Sequence, residues 1–349
     1  MNVATRELEA LVRREHANPH SVLGLHEDDG GVVVRALRPA ASGITAQLAG
    51  GDTVELEEIH PGGVFEGFVE GAQPPLHYQL EVDYGDSGTF TIEDPYAFLP
   101  TIGDLDLHLI GEGRHEELYQ KLGAHVMEHQ GVRGTAFAVW APSAKAISVV
   151  GDFNSWDGRL HAMRSLGGGG IWELFLPGVE PGARYKYEIL GADGELKLKA
   201  DPCAQEAEVP PLTASVVTDP KHVWKDADYL AQRGEAKPLE QPMSIYEVHV
   251  GSWRLNTLEG NRSLSYLELA DELSAYAKDM GFTHVELLPV MAHPFSGSWG
   301  YQVTGYFAPA GRFGSPDDLR EFIDRLHAHD IGVILDWVPA VDKRAQVVG

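Results

Sequence analysis

One cysteine, Cys203, occurs in 349 residues, so no internal disulfide framework can form, and a reducing, cytoplasmic setting is predicted. Long apolar runs are also lacking, which excludes a membrane-spanning helix. The first stretch, Met1 to His16, mixes Glu and Arg through an amphipathic helix pattern and shows no signal-peptide hydrophobic region. Basic residues are scarce. Twenty-seven Lys and Arg stand against 52 Asp and Glu, a formal charge of -25, which repels phosphate backbones and anionic lipid surfaces. The expected partner is therefore neither nucleic acid nor membrane, and a neutral one such as a sugar suits the field.

What the chain does have is a repeat. Arg35 to Ile44 resembles Ala138 to Ile147, with Pro39 aligned on Pro142. The register recurs where Phe65-Glu66-Gly67-Phe68-Val69 answers Trp172-Glu173-Leu174-Phe175-Leu176, Tyr78 to Val82 answers Tyr185 to Ile189, and Asp94-Pro95 answers Asp201-Pro202. A module of roughly 100 residues thus occurs twice. Each copy consists of short alternating runs bounded by Pro-Gly and Gly-rich turns, the pattern of an antiparallel β-sandwich.

After about Gln241 the texture changes to strand, helix, strand, helix, strand. Ser244 to Val250 reads as a strand. Tyr266 to Met280 carries Leu269, Leu273, Tyr276, Ala277 and Met280 at helical spacing and is closed by Gly281. His284 to Val290 is the next strand; Ser315-Pro316-Asp317-Asp318 starts a second helix; Gly332 to Asp336 is the third strand. This alternation implies a parallel sheet.

Ser244 to Trp253, His293 to Gln302, Arg312 to Asp318 and Asp336-Trp337-Val338-Pro339-Ala340 resemble the corresponding motifs of bacterial glycogen branching enzymes, members of the α-amylase superfamily. Asn18 to Gly24 and Asp94 to Pro100 resemble the extra N-terminal module of that family, and Val139 to Trp156 resembles its starch-binding-type sandwich. The predicted fold is multidomain: two N-terminal antiparallel β-sandwich modules, over 1–110 and 111–225, followed over 226–340 by an incomplete (β/α)8 barrel of about three strands. Residues 341–349 form a tail unlike the family.

The resemblance implies a retaining transfer within an α-glucan such as glycogen or maltooligosaccharide. An α-1,4 bond is cleaved, the cut oligosaccharide is held as an ester on an Asp, and it is delivered to a glucose 6-hydroxyl as an α-1,6 branch. Such chemistry uses two carboxylates about 5 Å apart, a nucleophile and an acid/base. In the family both lie on the fourth and fifth barrel strands, beyond the end of this sequence. About a hundred residues run from Ser244 to Gly349, against roughly 250 for a complete barrel. The family also places a His directly after the Pro-Ala pair, where this chain has Val341. The abrupt change between Ala340 and Val341 predicts an interrupted coding sequence, by frameshift, assembly error or truncation, and a chain inactive on its own.

The substrate-binding candidates are Tyr301, Asp336, Trp299 and His293. Tyr301 follows the second strand, on the face where barrel sites form, and in the family the matching Tyr stacks on the reacting sugar. Without the resemblance, an aromatic in a Gly-Tyr loop is more often packing. Asp336 ends a strand; in the family the matching Asp hydrogen-bonds the sugar, and the alternative is a cap for the next turn. Trp299 and His293 could equally pack their loop. His249 and Glu286 read as satisfied core polar groups.

In the second sandwich the glucan-binding candidates are Trp156, Asn154 and Trp140. Trp140 and Trp172 alternate with core residues, which favours burial for both, whereas Trp156 lies in the loop Gly151 to Gly158. Gly167 to Gly170 precedes a strand and is a turn rather than a phosphate cradle. His125 and His129 have helical spacing without a third ligand and read as a solvated face. No cofactor or metal is predicted. Three functional classes stay open: a branching enzyme by descent with an incomplete site, a glucan-binding protein without catalysis, and a fragment whose open half-barrel aggregates.

Overall fold

The structure, a computed structural model, describes residues 3–339. The change of pattern at Ala340 and Val341 and the tail 341–349 lie outside the described residues. The chain forms two compact units, Met1–Asp201 and Pro202–Gly349.

The first unit starts with a short helix, α1 (Thr5–Val12), whose Leu8 and Leu11 are buried. Seven antiparallel strands follow: β1 (Gly24–Asp28), β2 (Gly31–Leu37), β3 (Gly43–Leu48), β4 (Thr53–His60), β5 (Val64–Glu70), β6 (Tyr78–Asp83) and β7 (Thr89–Glu93). Their order, β1-β2-β5-β4-β3-β6-β7, is one continuous sheet. β4 makes it a sandwich. Its first half pairs with β3, Leu56 opposite Ile44, and its second half pairs with β5, with a register shift between Glu58 and His60. Such a shift bends the strand and increases its twist. The sheet can therefore close on itself, so that Val34, Ala36 and Phe65 share a core with Ile44, Ala46, Leu80 and Val82.

Helix α2 (Asp104–Gly111) leads into the second sandwich. Its strands are β8 (Gly123–His129), β9 (Val132–Trp140), β10 (Ala146–Gly151), β11 (Arg164–Ser165), β12 (Ile171–Pro177), β13 (Arg184–Leu190) and β14 (Leu196–Lys199). One sheet runs β11-β12-β9-β8, and the facing one holds β10, β13 and β14 in that order. Phe137 of β9 meets Tyr185 of β13 edge to face across the core, ring centroids 4.9 Å apart.

The sequence repeat has a structural counterpart. Tyr78 donates its hydroxyl to Asp94 at 2.6 Å, and Tyr185 donates to Asp201 at 2.6 Å, with the same chain separation of 16 residues and all four groups buried. The repeated glutamates also keep their partner type: Glu66 accepts from Arg35 at 2.6 Å and Glu173 from Arg164 at 2.8 Å. The second pair ties the two sandwiches together. Glu173 also accepts from the Thr101 hydroxyl at 2.9 Å, and Arg164 donates to the carbonyl of Phe98 at 3.0 Å, so the segment leaving the first sandwich is fastened to the second. Phe98 packs its ring 4.9 Å from Phe175 at the same junction.

His125 and His129 lie on strand β8, not on a helix. Strand alternation also puts residues four apart on one side, and both rings are engaged, His125 with the carbonyl of Leu122 and His129 with that of Leu99.

In the second unit a helix, α3 (Ala227–Glu235), precedes strand β15 (Ile245–Val248), α4 (Tyr266–Asp279), β16 (His284–Leu287), α5 (Pro316–Ala328) and β17 (Gly332–Leu335). The strands are parallel in the order β15-β16-β17, with Val248 opposite Leu287 and Leu287 opposite Leu335. Both long helices begin with a capping box, Ser265 with Glu268 and Ser315 with Asp318, in which side chain and backbone satisfy each other's first-turn groups. Tyr246, Val248, Val285, Leu287 and Val333 pack with Leu269, Leu273, Phe322 and Leu326 of the helices. Met280 falls just past α4 and is exposed rather than part of the apolar face. Glu247 and Glu286, opposite one another in register, lie at alternate positions to that apolar set.

Replacing Glu173 by Ala strands the buried Arg164 charge and should cost about 3–5 kcal/mol of unfolding free energy. Urea unfolding of the chain measures it, and a loss below about 1 kcal/mol would mean that the Arg164–Glu173 pair is energetically idle.

Candidate functional site

The ladder that orders the three parallel strands also sets their C-terminal ends level, and the loops leaving those ends converge. The backbone N–H of Asp336 donates to the carbonyl of Leu287 at 3.0 Å, which extends the ladder by one residue and fixes where this carboxylate begins. The loop after β16 is braced by a short antiparallel pair, Met291–Ala292 with Gly305–Pro309. At its tip, Trp299 has a left-handed backbone, φ 54°, and Gly300 follows at φ 88°. A Cβ on Gly300 would lie 2.1 Å from the carbonyl oxygen of Pro289, so no other residue fits there. This turn delivers Tyr301, whose hydroxyl donates to Asp336 Oδ2 at 2.7 Å.

Tyr301 and Asp336 are thus brought together, and the phenol is the donor. Its pKa is pushed up to about 12, first by the hydrogen bond to Asp336, then by partial burial and by the charges of Asp336, Glu247 and Glu286. The hydroxyl stays protonated near neutrality and presents a donor that already has an anionic acceptor.

Trp299 stacks on His249, with centroids 5.5 Å apart and planes at 30°. His249, just past β15, is held through Nδ1 to the Ser252 hydroxyl at 2.7 Å. It is therefore part of the rim rather than a core polar group. Glu286 is only half-buried and close enough to bias Tyr301, so it is not a sealed core group either. His293 is buried, with Nδ1 2.8 Å from the Met291 carbonyl, and burial holds its pKa down. It sits beneath the loop and supports it. Arg312, not singled out from the sequence, donates to the carbonyl of His293 at 2.6 Å and to the Ser296 hydroxyl, clasping the loop from below. Its place inside the Arg312-Phe313-Gly314 motif was the available signal.

Above these supports, Phe295, Trp299, Tyr301 and Trp337 expose about half of their surface. Flat apolar faces beside fixed polar groups suit a pyranose ring, which offers C–H faces for stacking and hydroxyls for hydrogen bonds.

In the second sandwich, the loop after β10 has the same backbone feature. Ser155 and Trp156 are both left-handed, φ 54° and 63°. Asn154 is buried; its Oδ1 accepts from the Gly151 N–H at 2.9 Å and its Nδ2 donates to the Val149 carbonyl at 2.9 Å. The same Nδ2 lies 3.0 Å from Nδ1 of His161, whose pKa burial holds down to about 3, keeping the ring a neutral acceptor. Asn154 is buried and its amide is spent on shaping the turn. Trp156 is 39% exposed, and Asp152, which opens the same turn, is clamped by Arg184 at 2.7 Å. Trp172 is buried, as strand alternation predicts, but Trp140 is 58% exposed because it ends β9 and turns outward, its Nε1 donating to the Gly169 carbonyl at 3.1 Å. A groove of about 460 Å3 lined by Ala141, Pro142, Ile189 and Lys197 begins at the next residue.

Three family models match successive parts of the chain. The family described as alpha-1,4-glucan branching enzyme GlgB, N-terminal domain, matches residues 4–96; carbohydrate-binding module 48 (isoamylase N-terminal domain) matches 121–204; and the alpha amylase catalytic domain matches 269–341. Among curated relatives, the 1,4-alpha-glucan branching enzyme GlgB of Myxococcus xanthus is 54% identical over 95% of this chain and 46% of its own length. Those of Thermobifida fusca and Kitasatospora aureofaciens are 55% and 52% identical, each over 97% of this chain and over 45% and 43% of their own lengths. The chain spans a little under half the length of the curated relatives it matches. No helix among the described residues is long and apolar enough to cross a membrane.

Replacing Asp336 by Asn should bring the Tyr301 phenol down from about 12 toward the free value near 10, because that hydrogen bond does most to raise it. Since the folded pKa is raised, the bond contributes fully below pH 10 and is lost as pH rises through 12. Phenolate absorbance read immediately after an alkaline pH jump, with Tyr301→Phe to assign the signal, measures the shift, and an unmoved titration contradicts the assignment.

Proposed function

We propose that this chain, a homologue of the N-terminal half of the GlgB-type 1,4-α-glucan branching enzymes, acts on α-glucan by binding it, and that the activity it descends from is transfer of a cleaved α-1,4 segment to a glucose 6-hydroxyl with retention. The observation that carries the reading is the Tyr301–Asp336 hydrogen bond at the C-terminal ends of the parallel strands, flanked by the exposed faces of Trp299 and Phe295. Barrel sites form at that end of the strands.

In this reading Tyr301 stacks on the sugar, Asp336 accepts from its hydroxyls, Trp299 widens the platform, and His293 holds the loop. Trp156 and Trp140 provide glucan platforms on the second sandwich, and Asn154 keeps the turn that aims Trp156. The domains divide at 1–110, 111–225 and 226–340. Glycogen and maltooligosaccharides are the ligands; neither nucleic acid nor membrane is one, and the setting is cytoplasmic.

A polypeptide of these 349 residues does not branch glucan alone. The chemistry needs a nucleophile and a separate acid/base, and the rim carboxylate Asp336 is held by a phenol that keeps its proton. The competing reading, a chain that aggregates, draws on exposed Leu335 and Trp337 at the third strand.

Native gels cast with and without glycogen separate these readings. Retardation by glycogen is expected, weakened roughly 5- to 10-fold by Trp156→Ala, the equivalent of about 1–1.4 kcal/mol for a lost stacking platform. Unchanged migration of the wild-type chain in glycogen sinks the binding reading. An iodine-stain assay on the same protein should show no branching, and measurable activity would overturn the inactivity of this form.

A further inference from the structure

Helix α5 presents Asp317, Glu321 and Asp324 along one face, since steps of four and three residues return to the same side of a helix. The segment Lys221 to Lys225 runs across that face. Asp317 Oδ2 accepts from the backbone N–H of Lys221 at 2.8 Å and of His222 at 3.2 Å, and Asp324 accepts from that of Lys225 at 3.1 and 3.0 Å. Both ends of the strap are thereby docked, and the His222 ring is carried in between them, edge to face with Trp224 at 4.9 Å.

The imidazole is placed in an unusual way. Its side chain is 94% buried, 6% remaining exposed, and Nε2 has no hydrogen-bond partner. Asp324 Oδ2 is 3.3 Å from that nitrogen but is not aligned as an acceptor. Glu321 Oε2 stands 3.7 Å from the other ring nitrogen, Nδ1, and one ligand atom from each of His222, Glu321 and Asp324 lies within 4.8 Å of the other two. A buried nitrogen and a buried oxygen that approach without pointing at one another are placed as two ligands of one ion would be. Around a tetrahedral zinc with bonds of about 2.0–2.1 Å, neighbouring ligand atoms stand roughly 3.3–3.4 Å apart.

We propose that His222, Asp324 and Glu321 form a site for a divalent transition metal, zinc above all, that clamps the strap onto α5. An imidazole nitrogen with two carboxylates suits zinc, whereas calcium and magnesium favour oxygen donors throughout. Asp324, already holding the Lys225 backbone, is the most rigid ligand. Glu321 is shared with Arg325 at 2.8 Å and Lys225 at 3.5 Å; the Lys225 ammonium, mostly exposed, is the group the cation displaces. The fourth position goes to water. The site is independent of the glucan reading, and the spacing of its residues is too long for any sequence motif to show.

The metal-free 349-residue chain titrated with zinc chloride by calorimetry should bind one equivalent and melt several degrees higher with zinc present. Cobalt in its place should give the visible ligand-field absorption of a tetrahedral centre. His222→Gln and Asp324→Asn should each weaken binding at least roughly tenfold. No bound equivalent, or one that persists unchanged in both variants, overturns the site. Should either variant fail to fold, the wild-type cobalt spectrum decides alone: absence of tetrahedral absorption overturns it.

Discussion

A tyrosine hydroxyl donating to an aspartate closes each sandwich and recurs at the end of the parallel sheet, and the rest of the structure is arranged around where that bond is buried. In the sandwiches it is sealed. Tyr78 and Asp94 are almost fully buried, and burial raises the pKa of the carboxyl and of the phenol alike, so the pair is worth having only because each group satisfies the other. Losing either partner would leave a desolvated polar group in the core. At Tyr301 the same bond is open to solvent, and the polarised phenol faces outward beside aromatic surfaces. One interaction is structural where water is excluded and becomes available to a ligand where it is not.

The candidate platforms share a second constraint. Trp156 and Trp299 both occupy left-handed backbone conformations, each in a loop whose turn is held by hydrogen bonds: Asn154 in one case, His293 with Arg312 in the other. A bulky residue at positive φ costs of order 1 kcal/mol or more, and it persists only where its surroundings overdetermine it. The strain directs the indole outward instead of back onto its own strand. In both loops the polar residues beneath the tryptophan serve the ligand indirectly, by fixing the direction of an aromatic face.

The elements legible in the sequence are those that local chemistry decides. The two long helices are readable because Leu269, Leu273, Tyr276 and Ala277 recur at helical spacing ahead of Gly281 in one, and Ser315 with Pro316 and the acids that follow opens the other, signals that act within a few turns. The repeat was readable because Tyr78 with Asp94 and Tyr185 with Asp201 keep both spacing and chemistry. What escaped depended on neighbours distant in the chain. His125 and His129 have a spacing that a helix and a strand both place on one side, so periodicity alone could not choose. Trp140 alternates with core residues yet ends its strand, where alternation stops governing direction. The part Asn154 plays in the turn rests on its buried partners at Gly151 and Val149, which sequence spacing does not display. His222 meets α5 through a fold that sequence spacing does not encode.

The geometry of the rim follows from the three-strand ladder itself. The N–H of Asp336 is taken by Leu287 on the central strand, and His249 follows directly from β15, which pairs with the other edge of that same strand. The central strand thus references both outer strands to one register, and a slip of either by one residue would exchange Glu247 or Ile334 for the apolar residues packed against α4 and α5. Burying Val248, Leu287 and Val333 against the helices therefore does two things at once: it stabilises the sheet, and it forbids the slip that would move Asp336 out of reach of Tyr301. The polar contact at the rim is set by apolar packing on the opposite face.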